Sequence, residues 1–165
     1  MDNPDWPMKK RGDEDQVVRT VQHLLNSHGA SVKPDGVFGE QTEEAVISLQ
    51  KAGGLDVDGV VGSTTWEALI VDLEFGARGD AVRAAQTQLY IRGTLPEVDG
   101  VYSMKMNISV RRFQVLKHLE PDSVVNKATW HAMVSDTDLP AVSQDLSRDG
   151  FNWQDKLRSM LRPEG

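Results

Sequence analysis

No cysteine occurs among the 165 residues, which excludes disulfides, thiolate metal sites and a cysteine nucleophile together. Positive charge is also short: 18 Lys and Arg against 25 Asp and Glu leave a net charge of −7. Nucleic-acid backbones are held chiefly by Lys and Arg that displace counterions, so no nucleic-acid partner is expected. No apolar run is long enough to cross a bilayer, which argues against membrane insertion. The opening stretch MDNPDWPMKKRGDEDQ lacks the apolar core of a secretory signal. HExxH, GxSxG and P-loop patterns are all missing, and with them the short signatures of zinc peptidases, serine hydrolases and nucleotide hydrolases. His23, His28, His118 and His131 have no metal-ligand spacing, so neither a metal nor any other cofactor is expected.

What the chain does have is a repeat, the first thing to settle in any fold reading. Shifting the sequence by 64 positions pairs residues 12–70 with 76–134 without a gap. Gln22 falls on Gln86, Asp35 on Asp99, Gln50 on Gln114 and Trp66 on Trp130. The five residues from Val71 to Phe75 join the copies. Val18, Val21 and Leu25, followed by Gly29, predict an amphipathic helix with a glycine stop, and Val82, Ala85, Leu89 and Gly93 repeat it. A second helix is predicted through Ala45, Val46, Leu49 and Ala52, matched by Val110, Phe113 and Leu116. A short third helix carries Trp66 and Leu69, with Thr64 and Glu67 as its capping box and Asn126 as the cap in the second copy. Strand-like alternation is nearly absent, so the expected class is all-α, two tandem three-helix repeats.

Several residues have structural readings that compete with functional ones. The equivalent slots of Trp66 and Trp130 on a short amphipathic helix favour core packing over stacking on a sugar ring. Phe38 and Tyr102 follow the Asp-Gly-Val turns, where a ring either plugs the core or lines a groove. Gln22, Gln50, Gln86 and Gln114 sit beside apolar faces, and a buried amide there needs bonds to the turns. Asp35-Gly36 and Asp58-Gly59 read as Asx-type turns with glycine at positive φ. The DVDG run from Asp56 lacks the later ligands of a calcium loop.

Once these residues are assembled, each copy resembles the three-helix peptidoglycan-binding domain attached to bacterial cell-wall hydrolases. The first copy carries Val18, Gln22, Leu25, Gly29, Asp35, Gly36, Phe38, Gly39, Thr42, Gln50, Asp58, Gly59, Gly62, Thr65 and Trp66 of that pattern. The second keeps Gln86, Gly93, Asp99, Gly100, Phe113, Gln114, Thr129 and Trp130, but places Ser103, Met106, Ser123 and Asn126 where the family prefers glycine or threonine. The resemblance implies non-catalytic binding of peptidoglycan, as glycan or stem peptide, in a shallow groove bordered by the first long turn and its adjacent helices. The ligand-binding residues it implies are Asp35, Phe38 and Thr42 in the first copy and Asp99, Tyr102, Arg111 and Arg112 in the second. An alternative is a protein-interaction adaptor in a phage tail, injection apparatus or regulatory complex. Family resemblance points to the cell wall or exterior; the missing signal points to the cytoplasm, lysis or a dedicated export machine.

The organisation read from this is an N-terminal arm (1–11), the repeats at 12–70 and 76–134, and a linker with a C-terminal amphipathic helix (135–165). The two repeats consume the foldable chain and leave no room for a catalytic domain. Charge divides unevenly, with three basic and ten acidic residues in the first copy and eight basic and five acidic in the second. A cationic second copy steers toward anionic polymers; equally, opposite copies attract one another or the charges are solvated surface. In the tail, Phe151, Leu157 and Leu161 share a helical face, suited to docking on the repeats or to a partner protein's groove.

Overall fold

The computed structural model describes residues 5–135. They form α1 (Gln16–Ser27), α2 (Glu40–Ala52) and α3 (Ser63–Leu69), then α4 (Asp80–Ile91), α5 (Met104–Leu116) and α6 (Lys127–Ser135). No strand forms among the described residues, so this part of the chain is all-helical, as the periodicity requires. The helix expected within 135–165, including Phe151, Leu157 and Leu161, falls on residues outside the described range.

Local chemistry sets the helix ends. Asp15 caps α1 by accepting the Val18 N–H at 2.8 Å. The helix stops at Gly29, whose φ of +99° lets its own N–H and that of Ala30 donate back to the carbonyls of Asn26 and Leu25. Asn126 accepts the Thr129 N–H at 3.0 Å ahead of α6, as expected. The capping box of Thr64 and Glu67 does not form: α3 starts at Ser63 behind Gly62, with no side-chain cap. Thr64 already has helical backbone geometry there, whereas a cap residue must be extended.

Short antiparallel bridges tie each repeat together. Lys9 pairs with Val61 and Glu14 with Val37; 64 residues on, Leu73 pairs with Val125 and Arg78 with Val101. The indole N–H of Trp66 donates to the Pro7 carbonyl at 2.7 Å, and that of Trp130 to the Val71 carbonyl at 2.8 Å. Residues 7–11 therefore do for the first repeat what 71–75 do for the second. Trp6 is buried and stacks on Trp66 with centroids 5.5 Å apart.

The repeats share one core. Their first helices, α1 and α4, make the most extensive helix-to-helix contact among the described residues, and Gln88 donates to Thr20 Oγ1 across it at 2.8 Å. Small buried residues, Ala81, Ala84 and Ala85, let α4 lie close. Each half alone would bury only about 60% of its unfolded surface, and fusing them supplies the missing cover. A fully buried Leu or Trp stabilises the fold by about 1.5 to 3 kcal/mol, and Leu24, Leu25, Trp66, Leu89 and Trp130 are all below 2% exposed. Packing, more than the linker, fixes how the copies are oriented.

Candidate functional site

Each long turn is held by a glutamine from the preceding helix. The Gln22 amide nitrogen reaches Asp35 Oδ1 (3.1 Å), the Val37 carbonyl (3.0 Å) and Thr42 Oγ1 (3.0 Å), while its oxygen accepts the Gly36 N–H at 2.9 Å. Gln50 does the same with Asp58, Val60, Thr65 and Gly59. Gln86 holds Asp99, Val101 and Gly100, and Gln114 holds Asp122, Val124, Thr129 and Ser123. All four amides are buried and bonded to turns, as their positions beside apolar faces require. The Asx turns form as well: Asp35, Asp58 and Asp99 each accept the N–H two residues on at 2.9 Å, and Gly36, Gly59 and Gly100 have φ between +74° and +80°.

These bonds also set the acidity of the turns. The Val37 N–H, then the Gln22 amide, hold the Asp35 carboxyl below the usual range. Asp58 is lowered by the Val60 N–H and then Gln50, and Asp99 by Gln86 and then the Val101 N–H. A carboxylate that accepts two such bonds is committed to its turn.

The residues expected to bind ligand therefore separate. Phe38 and Tyr102 are 1% exposed and Thr42 is 2% exposed, so their side chains serve the core and present no surface to a polymer. The Tyr102 hydroxyl donates a short hydrogen bond to the Ser123 carbonyl, and burial, with the Asp122 charge second, pushes its phenol well above the ordinary value. The carboxylates of Asp35 and Asp99 reach solvent while bonded to their turns. Arg111 and Arg112 lie on α5 beside a shallow apolar hollow of about 430 Å³ with Ile108, Val115 and Leu116; Val115 and Leu116 are exposed.

A larger concavity stands where the first long turn meets α1 and α2, a groove of about 640 Å³. Its walls are mostly small: Ala30 and Ser31 on the turn, and Ala45, Ser48 and Ala52 on α2, with Leu25 and Leu49 supplying apolar surface. His28, Gln41 and Glu44 add polar groups. His28 Nε2 donates to the Leu69 carbonyl at 2.9 Å, which leaves Nδ1 as an acceptor in the neutral ring.

In the second repeat larger side chains take the equivalent places. Arg92 replaces His28, Thr94 replaces Ala30, Leu95 replaces Ser31 and Phe113 replaces Leu49. The Arg92 guanidinium lies 5.2 Å from the Phe113 ring centroid and donates to the Gln88 and Met133 carbonyls. Ser109 Oγ, in place of Ala45, donates to the Thr94 carbonyl at 2.6 Å, and Leu95 and Phe113 are each 2% exposed. Residue type alone pointed to the turns; the groove is marked by runs of small residues at helical spacing, a weaker signal.

Among the described residues no group of three His, Asp or Glu converges as a metal site, and no helix is long and apolar enough to cross a membrane. The exposed Lys127–Glu67 pair, 2.6 Å apart, joins the oppositely charged copies. Such a surface pair contributes little beside the shared core.

Comparison with known proteins follows the same division. A family model described as "Putative peptidoglycan binding domain" matches residues 14–69 and again 78–133. The chain is 30% identical over 156 residues to a "Probable N-acetylmuramoyl-L-alanine amidase" of Bacillus licheniformis, covering 76% of this chain and 44% of that protein. It is 27% identical over 155 residues to the N-acetylmuramoyl-L-alanine amidase CwlL of the same species, covering 73% of this chain and 43% of that one. The chain thus spans less than half the length of these curated relatives. Among solved structures, a peptidoglycan-binding protein from Clostridioides difficile in complex with glutamine hydroxamate is 33% identical over 42% of each chain, with a TM-score of 0.38.

Proposed function

The chain belongs to the peptidoglycan-binding domain family through both of its repeats, and from that premise we propose that it is a non-catalytic module holding bacterial cell-wall peptidoglycan in the groove of its first repeat. The observation that carries this reading is the contrast between the copies: one groove is open and walled by small residues, and its counterpart is occupied by Arg92, Leu95 and Phe113. Its volume lies within the roughly 300 to 1,000 Å³ common for ligand sites. The groove offers no aromatic platform, so contact is made by aliphatic walls and polar groups. The methyls of alanyl stems and acetamido groups are small enough for the hollows beside Ala30, Ala45 and Ala52. Glu44 and the His28 ring are there to accept their N–H groups.

Arg111, exposed on α5, adds positive charge at the second repeat and draws the module toward an anionic wall without itself defining a pocket. Because the copies share one core, any joint engagement needs a polymer whose spacing matches theirs. Asp35 and Asp99, still solvent-facing on their turns, lie outside the groove and are secondary candidates for a ligand's N–H groups; Phe38, Thr42 and Tyr102 are retained only as supports.

Co-sedimentation with purified sacculi tests this. Installing the second copy's residues in the first, His28→Arg with Leu49→Phe, fills the groove with side chains the fold already accommodates 64 residues on. Retention is expected to fall at least tenfold with the thermal midpoint little changed. Undiminished retention would place the ligand elsewhere, and release of soluble fragments from labelled sacculi would overturn the non-catalytic part.

A further inference from the structure

Where the two repeats meet, α1, α4 and the turns after them leave a cleft of about 490 Å³, distinct from the groove above. Gln16, Arg19 and His23 of α1 line it, with Thr87 and Tyr90 of α4 and Glu97 of the turn that follows. Three polar atoms on that wall are buried without a protein partner: Gln16 Oε1, Arg19 Nε and His23 Nδ1. His23 is only 8% exposed. Buried polar atoms are nearly always satisfied by protein, water or ligand, so three unpaired ones on residues that line one cleft mark it as a place where a polar ligand can be received.

The repeat shows what kind of ligand. In the second copy Asp80 holds Arg83 at 3.1 Å, and the Arg83 guanidinium covers its own turn so closely that a Cβ on Gly100 would lie 2.8 Å from Cζ. In the first copy the arginine is kept as Arg19 but the acid is replaced by Gln16. Nothing of Arg19 lies within reach of the equivalent Gly36, whose nearest neighbour is the Asp15 carbonyl. The cation has lost its carboxylate and its seat on the turn, and it borders the cleft instead. Glu97, the one acid among the lining residues, stands 3.9 Å from Lys105 and is more than half exposed.

We propose that the inter-repeat cleft binds a small carboxylate ligand, received by the guanidinium of Arg19 with His23 and Gln16 alongside. A guanidinium suits a carboxylate because two parallel N–H bonds form at once. The neutral imidazole, one nitrogen donating and the other accepting, and the Gln16 amide then discriminate what the carboxylate is attached to. The cleft sits at the seam, so a bound ligand touches both copies and stabilises their union. The inference rests on the peptidoglycan reading only for its choice of carrier, since that polymer bears carboxylates on its peptide ends and, wherever a stem peptide has been removed, on the lactyl group of its sugar.

The test uses the isotope-labelled full chain and two soluble probes, N-acetyl-D-alanyl-D-alanine and N-acetylmuramic acid, each beside its carboxamide. Saturable shifts at the Arg19 side chain and the His23 ring are expected with a carboxylate form and not with its amide, and the stronger probe identifies the carrier. Gln16→Asp, which copies Asp80 into the first repeat, is expected to weaken binding at least tenfold while the spectrum stays folded; Arg19→Gln should do the same. Equal binding of the amide, shifts confined to the groove around Ala30 and Ala45, no saturable shift with either acid, or full binding by the Gln16→Asp chain would each overturn the proposal. The probes are soluble and the readout is local, so loss of sacculus retention does not affect the result.

Discussion

In the first repeat Ala30 and Ala45 line an open groove; 64 residues on, Thr94 and Ser109 stand at those places and are joined by a hydrogen bond of 2.6 Å. The turns beneath them are nearly superimposable in their bonding, each tied by a glutamine to an aspartate, a carbonyl and a backbone N–H. What is kept after duplication is what the backbone needs, since an unpaired buried amide is costly wherever it falls. What has diverged is volume and charge at the surface, where packing imposes little. A repeat's ability to fold and its ability to hold a ligand are therefore separable, and this molecule has them in different proportions in its two halves.

The glutamines give the largest way to break that comparison. Replacing Gln22 by Leu strands the buried Gly36 N–H and Thr42 hydroxyl together, so a loss of about 3 kcal/mol is expected. Gln86 has Met106 where Gln22 meets Thr42, so it keeps the three bonds to its turn and lacks only the one to the following helix. Gln86→Leu should cost roughly 2 kcal/mol. Urea unfolding of both variants checks the order; a larger loss at Gln86 would mean that the second repeat carries more of the shared core's stability than its turn bonding suggests.

Backbone strain offers a smaller and opposite-signed test. Gly54 and Gly59 of the first copy become His118 and Ser123 in the second, which keep positive φ of 57° and 62°. A side chain in that region costs about 1 to 2 kcal/mol, so Ser123→Gly should stabilise by up to about 1 kcal/mol once the glycine's extra unfolded-state freedom is set against it. Gly59→Ser should destabilise by a similar amount or more, because its Cβ would come within 3.1 Å of the Glu43 side chain. Thermal midpoints of the two variants moving in the same direction would show that the turns are not equivalent after all.

Much of this was legible before any coordinates. The 64-residue offset predicted the six helices, and apolar spacing with glycine stops placed their ends within a few residues. Asp-Gly pairs predicted turns, and the burial of Trp66, Trp130 and the four glutamines followed from their equivalent slots. The union of the copies was not legible, because the second face of α1 and α4 is written in Thr20, His23, Ala84 and Gln88, residues too small or too polar to read as a core stripe. The site was only half legible. Chemistry-bearing residues after a turn suggest a ligand, yet Phe38 and Tyr102 point inward, a direction the residue type does not encode. The groove itself is defined by side chains that are missing.

The position of His23 gives the smallest expected difference and the most specific. Its counterpart, Thr87, cannot titrate, so at this helix position only the first repeat carries an imidazole. Burial is the main cause holding His23 below its ordinary pKa; Asp80 opposes it, and Arg83 and Arg19 add to it. The folded protein therefore resists protonating a ring that the unfolded chain protonates near pH 6.5. Stability from this group is complete above that value and declines as pH falls through it, because the unfolded state takes up the proton first. Replacing His23 by Thr, as in the second copy, should lower stability above about pH 6.5 through lost packing and flatten the slope below that value. The slope is the informative quantity: if it survives the substitution, the proton is being taken up elsewhere, and the seam is not where the first repeat senses acid.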